Sequence, residues 1–288
     1  MALDISPFDG PIGAEVSGID LARPVAAADQ KVLEDAWNAH AVLVFRGQTL
    51  EPADLVRFSR GFGALEIHVL DQYLHADHPE ILVVSNIQEN GEPIGIYDAG
   101  RYWHSDLSYL AEPSRGSVLY AIEIPEEGGE TLGNTLWAHA GAAYEALDDG
   151  LKARLDGLEA AFDLGKRFQK LVDDGDADAA MTDEQIKKTP EVVHPVIRTH
   201  PVTGRKSIFV NIGHTTHILG LPADESQAIL EELWAHCIRP EFVYRHKWRE
   251  GDVVMWDNVP TQHLAICDYA LPQRRLLHRT TLSGDRPY

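Results

Sequence analysis

The stretch WHSDLSY, residues 103–109, sets His104 and Asp106 two positions apart between aromatic residues. On an extended strand, residues two apart project from the same face. An imidazole nitrogen and a carboxylate oxygen would then address one point in space, which is part of a metal site. Alone the pair is weak, because a polar residue at a strand end more often makes a turn. WDNVPTQH, Trp256 to His263, adds a second histidine directly after the apolar segment DVVMW. A lone histidine there would ordinarily be solvated or satisfied in the core. Two imidazoles and one carboxylate on one face are the donors of a non-haem Fe(II) centre with coordination positions left open. The same donors also suit zinc.

RRLLHR, Arg274 to Arg279, follows about a dozen residues after His263. On a strand, Arg275, Leu277 and Arg279 share a face, which sets the two guanidiniums ~13 Å apart. Arginines facing an interior are costly unless each meets an anion. The bland reading turns one of them outward to pair with surface carboxylates. The functional reading is two anion sites flanking one metal, since guanidinium is the bidentate partner of carboxylates and sulfonates.

These residues need a frame to hold them, and 288 residues are enough for one large domain or two small ones. A formal net charge of −20, from 45 acidic against 25 basic residues, argues against nucleic acid and anionic membranes as partners. No apolar run approaches the ~20 residues that span a bilayer, and MALDISPFDG lacks the basic start and apolar stretch of a secretory signal. Two cysteines, Cys237 and Cys267, make no disulfide framework, so a cytoplasmic location is expected.

Short apolar segments bounded by turn residues predict strands at 41–47, 81–87, 117–124, 207–211, 252–256 and 274–282. Two helices are predicted. One covers 27–40, with Val32, Leu33, Ala36 and Trp37 at helical spacing. The other follows Pro222, where Asp224 and Gln227 resemble a capping box. The glycine-rich segment 88–100 and the acidic segment 163–191 read as irregular, the latter as a lid. Many short strands with few helices predict a mainly β fold with flanking helices, a sandwich or jelly roll.

WHSDLSY, the GGET that follows, WDN-x4-H and RRLLHR together resemble the TauD/TfdA family of Fe(II)- and 2-oxoglutarate-dependent dioxygenases. The likeness begins at IGAEVSGIDL and VLVFRGQ and includes FGALE, HPEILVVSNI and HPVTGRKSIFVN, so it spans nearly the whole chain. It implies a single domain over 1–288 with a double-stranded β-helix (jelly-roll) core. His104, Asp106 and His263 would hold Fe(II), and 2-oxoglutarate would chelate the iron, with O2 as the second cosubstrate. Arg275 would take the distal carboxylate of 2-oxoglutarate, helped by a threonine. DYALPQRR carries one residue more than the commoner family form, so this assignment counts back from RR-x-x-HR. The threonine is Thr131 or Thr135, because GGETLGNTLW departs from the usual GG-Asp-Thr-Leu; register with the downstream AAYEAL favours Thr135.

By the same resemblance Arg279 would grip a substrate anion, with His68, Tyr73 and Asn86 around it and Phe162 or Phe168 reaching in from the lid. The implied reaction hydroxylates a small organic anion next to a heteroatom and releases succinate and CO2. Alkylsulfonates such as taurine, alkyl sulfate esters and aryloxyalkanoates all fit. The alternatives are hydroxylation or desaturation of a secondary metabolite, a non-catalytic jelly-roll anion-binding protein, and a zinc hydrolase. Family members are often dimers or tetramers, so a homo-oligomer is expected.

Overall fold

Apolar runs such as VLVF and VVMW need cover on both faces, and the computed structural model provides it with two sheets and a layer of helices. Residues 3–68, 71–97, 100–173 and 181–288 are described. The strands that frame the site begin with β1 (Asp4–Pro7), β2 (Ala14–Ser17), β3 (Val42–Phe45), β4 (Leu74–His75), β5 (His78–Ser85) and β6 (Gly116–Glu123). They continue with β7 (Thr135–His139), β8 (Val243–His246), β9 (Val253–Asp257), β10 (Thr261–Ala265) and β11 (Leu276–Leu282). The large sheet runs β1-β2-β3-β9-β6-β11-β5-β4, and the facing small sheet runs β8-β7-β10. This is the expected jelly-roll core with helices outside it.

Side-chain alternation divides the large sheet into two faces. Val118, Tyr120, Val253 and Met255 point outward and pack on Leu33, Trp37, Leu55 and Phe58 of the helices Ala27–His40 and Pro52–Arg60. Their neighbours Leu119, Ala121, Val254, Trp256 and Leu277 point inward, against Trp137 of β7 and Trp248. Truncating a ring as buried as Trp137 to alanine would cost about 3–5 kcal/mol. The inward face continues to Arg275 and Arg279, so the apolar interior between the sheets becomes polar at one end.

Several expectations change. Helices Pro52–Arg60, Ala140–Glu145 and Asp149–Leu155 appear where six to nine residues give too short a periodicity to read. Ala223–Cys237 starts from Pro222 without a side-chain cap; Asp224 lies inside the first turn, and Gln227 bonds Glu231 instead. The segment 88–97 is not irregular: it pairs Gln88–Glu89 with Glu92–Pro93 and bridges Ile96 to Val84. Within 163–191 the described residues form helices Leu164–Asp173 and Asp183–Lys188, and 174–180 lie outside the described residues. Phe162 is not in a lid. It ends the strand Glu159–Phe162, fully buried against Phe209 and His194 in a separate core that includes Leu230 and Leu233.

Candidate active site

His104 and Asp106, two positions apart, converge as the spacing predicts. His104 forms an isolated bridge with His263: its N–H donates to the His263 carbonyl at 3.1 Å and its carbonyl accepts the His263 N–H at 2.8 Å. Asp106 opens a turn through Leu107, whose φ of 56° is left-handed. A side chain there costs about 1–2 kcal/mol, and that turn redirects the chain away from the cluster after Asp106. The two Nε2 atoms stand 3.6 Å (His104) and 3.7 Å (His263) from Asp106 Oδ1, and all three side chains are buried. No other group of three or more His, Cys, Asp or Glu among the described residues meets in this way.

The surroundings fix the donor atoms. His104 Nδ1 donates to the Tyr102 carbonyl at 2.8 Å, which leaves the Nε2 lone pair facing Asp106 and His263. Asp106 Oδ2 accepts from Ser117 Oγ at 3.0 Å and lies 3.5 Å from Asn258 Nδ2. Asn258 also donates to Ser114 Oγ and accepts from Trp256 Nε1. Asp257 shapes the turn into β10 through Arg115, His200 Nε2 and the Val259 N–H. Burial pushes the Asp106 carboxyl up, yet Arg279, His263 and His104 together hold it well below the usual carboxylate range. Burial, with His104 beside it, holds His263 well below its ordinary value against the pull of Asp106. An ionised Asp106 and a neutral His263 are the protonation states a divalent metal needs, so these residues fit such an ion.

A cavity opens from the cluster toward Arg275, lined also by Thr135, Trp137, Tyr97, Cys267 and Tyr269. Arg275 is 4 % exposed, donates Nη2 to the Gly133 carbonyl at 3.2 Å and stands over the Tyr269 ring. Its Nε has no partner, and among the described residues no carboxylate lies within ion-pair distance of it. A buried cation in that state is an anion site. Thr135 projects into the same cavity; its hydroxyl oxygen accepts from Trp248 Nε1 at 3.0 Å, which frees its own proton to donate inward. Thr131 lies in the short pairing of Glu126–Glu127 with Glu130–Thr131 and does not line the cavity.

Arg279 lines the same cavity and reaches the cluster, with Nη2 2.9 Å from Asp106 Oδ1. His68 borders this end: burial and Arg279 hold its imidazole down to about 4, against Asp106. Tyr73 lies in the single turn Asp71–Tyr73, half-buried, and does not line the cavity. Asn86 is committed elsewhere. Its Oδ1 accepts the Arg275 N–H and its Nδ2 donates to the Gln273 carbonyl, both at 2.8 Å, so it holds the backbone that carries Arg275.

Three aromatic residues that sequence reasoning passed over cluster near His104: Tyr102 and His214 pack beside it, and Tyr109 packs on His214. His214 is fixed through Nδ1 to Ser108 Oγ at 2.8 Å, and Asn211 bonds both. Tyr102, Ser108 and Tyr109 belong to, or adjoin, the WHSDLSY stretch, which was a signal; nothing local marked His214. No described helix is long and apolar enough to cross a membrane.

Comparison with known proteins agrees with this geometry. The family model described as taurine catabolism dioxygenase TauD, TfdA family, matches residues 4–281. The chain is 35% identical over 297 residues to an alpha-ketoglutarate-dependent 2,4-dichlorophenoxyacetate dioxygenase of Cupriavidus pinatubonensis, covering 99% of each chain. It is 36% identical to pentalenolactone F synthase of Streptomyces avermitilis, covering 99% of this chain and 96% of that one. The crystal structure of AAD-2 in complex with Mn(II) and N-oxalylglycine superposes with a TM-score of 0.82 at 31% identity, covering 100% of this chain and 99% of that one.

Proposed function

The chain belongs to the TauD, TfdA family, and from that premise we propose that this oxidoreductase hydroxylates a small organic anion, foremost an aryloxyalkanoate, next to its heteroatom. The observation that carries the reading is the pair of buried arginines on one inward face, flanking three convergent donors. Metal, 2-oxoglutarate and O2 are the cofactor and cosubstrates. Bound Fe(II) supplies oxidation of an unactivated C–H bond, with 2-oxoglutarate leaving as succinate and CO2.

His104, Asp106 and His263 are the residues to hold the iron, their open side facing the cavity. Arg275 and Thr135 receive the distal carboxylate of 2-oxoglutarate, which satisfies the unpartnered guanidinium nitrogen. Arg279, with His68 beside it, receives the substrate anion. Tyr102 and His214 pack beside His104, with Tyr109 on His214, and this aromatic cluster is taken as the substrate's wall. An aryl group suits that wall better than a short alkyl chain. Trp137 and Trp256 keep bulk water from the reacting carbon. We also carry forward the reading of 1–288 as one catalytic domain.

Identity of 36% to pentalenolactone F synthase supports a second reading, the same cofactor chemistry on a secondary metabolite. The test is succinate formation with Fe(II), 2-oxoglutarate and O2 on phenoxyacetate, hexyl sulfate and taurine in parallel. The proposal expects substrate-dependent succinate and phenol from phenoxyacetate, abolished in Asp106→Ala. Activity of Asp106→Ala at the wild-type level would sink the assignment of the metal ligands. No response to any of the three anions by protein that binds metal would move the secondary-metabolite reading to the front.

A further inference from the structure

One carboxylate oxygen faces two cation positions. Asp106 Oδ1 is the atom nearest His104 Nε2 and His263 Nε2, and it is also the atom that Arg279 Nη2 holds at 2.9 Å. Oδ2 points away, tied to Ser117 Oγ and near Asn258, so one oxygen of the carboxylate is left for both cation positions. The pair is buried, with the Arg279 and Asp106 side chains 12% and 5% exposed. Arg279 Nε has no partner, so the guanidinium still has donor capacity.

We propose that Arg279 is an exchangeable counter-ion of Asp106. With no organic anion present it occupies Oδ1 and weakens the metal's hold. When a substrate anion engages the guanidinium, Asp106 is released to the metal. The inference rests on the iron-and-substrate reading of this same site.

Two physical effects act in one direction. A charge-assisted N–H···O bond draws density from the oxygen that the metal needs. A guanidinium charge a few ångströms from a divalent ion is repulsive, and a buried site screens it poorly. An incoming carboxylate or sulfonate neutralises that charge and offers a forked partner in place of a single oxygen. The Arg279 backbone stays fixed, because β11 is paired to Leu82 and Leu119 on its two sides at this residue. The exchange therefore needs only side-chain rotation. By linkage, whatever factor the anion adds to metal affinity, the metal adds to anion affinity.

Arg275 is the internal control. It is a second buried cation of the same cavity, with no ion-pair contact to Asp106. The experiment measures Mn(II) dissociation constants by the EPR signal of the free ion, without 2-oxoglutarate and without turnover. It compares wild type with R279M, R279K and R275M, each checked for folding by circular dichroism. Loss of one charged hydrogen bond predicts that R279M binds Mn(II) about tenfold tighter or more. R279K keeps the charge but loses the forked donor and some reach, and tightens binding about threefold. R275M stays within about twofold of wild type.

Unchanged or weaker binding by folded R279M overturns the exchange, and if R279M does not fold, unchanged binding by R279K does so. Equal tightening in R275M also overturns it, since general cavity charge would then be the cause. Failure of wild type to bind Mn(II) at all overturns the metal reading itself, which is a different result.

Discussion

Asn86 offers the sharpest test of how the cosubstrate arginine is held. Its amide bonds the Arg275 N–H and the Gln273 carbonyl, each at 2.8 Å, while Ser85 Oγ donates to the Arg275 carbonyl at 2.8 Å. Asn86→Ala leaves the Arg275 N–H buried and unpaired, at a cost of about 1–2 kcal/mol. The Gln273 residue is half-exposed, so water limits the loss at its carbonyl to about 0.5–1 kcal/mol. A total of about 1.5–3 kcal/mol lowers the melting temperature of a chain this size by roughly 2.5–5 °C. The freed start of β11 also lets Arg275 drift, and about 1 Å of misplacement weakens 2-oxoglutarate binding tenfold or more. Asn86→Asp keeps the acceptor but sets a carboxylate against the Gln273 carbonyl, and falls between the two. The assay is anaerobic titration of Fe(II)-loaded protein with 2-oxoglutarate, following the visible charge-transfer band, beside a thermal melt. An Asn86→Ala protein with wild-type stability and 2-oxoglutarate affinity, but weakened for the primary substrate, would falsify the positioning role. It would return Asn86 to direct substrate contact.

Gly133 has a φ of +67°, and an added Cβ would stand 2.7 Å from Arg275 Nε and 2.8 Å from its Cδ. Gly133→Ala is expected to raise the 2-oxoglutarate dissociation constant about tenfold or more through that displacement; an unchanged titration would show that the guanidinium is not set by this turn. Thr135→Ala weakens 2-oxoglutarate about tenfold and Thr131→Ala has no effect, because only the first hydroxyl lines the cavity; the reverse pattern in the same titration would refute the assignment. His194 donates Nε2–H to the Leu110 carbonyl at 2.9 Å, and burial holds its ring down to about 4. The unfolded chain, with an ordinary histidine near 6.5, takes up the proton first. Stability is therefore full above pH 6.5 and is lost as the pH falls from there toward 4, by about 1–2 kcal/mol at pH 5. Urea unfolding at pH 7 and pH 5 should show a smaller loss in His194→Gln than in wild type, and equal losses would exclude His194 as the cause.

The chemistry was legible because donor type belongs to the residue. A histidine, a carboxylate and two arginines announce themselves at any position, and their order along the chain was enough to identify the family. The geometry was legible only in part. That His104 and Asp106 address one point could be read from their spacing, but that His104 bridges to His263 could not. Thr131 and Thr135 are chemically identical; sequence register with AAYEAL favoured Thr135, and sheet register separates the two. β7 pairs with β10 as Thr135↔Ala265 and Trp137↔His263, which places one hydroxyl in the cavity and leaves the other outside. The Asp and Asn of WDN read as flanks of a ligand, but Asp257 shapes the turn into β10 and Asn258 supports Asp106. Phe162 and Asn86 each had a role implied by the family resemblance. Each was reassigned by a partner far along the chain: Phe209 for the first, Arg275 for the second. Local sequence specifies what a side chain can donate or accept. Which atom it meets depends on strands that pair across long separations, and only the closed jelly roll decides that.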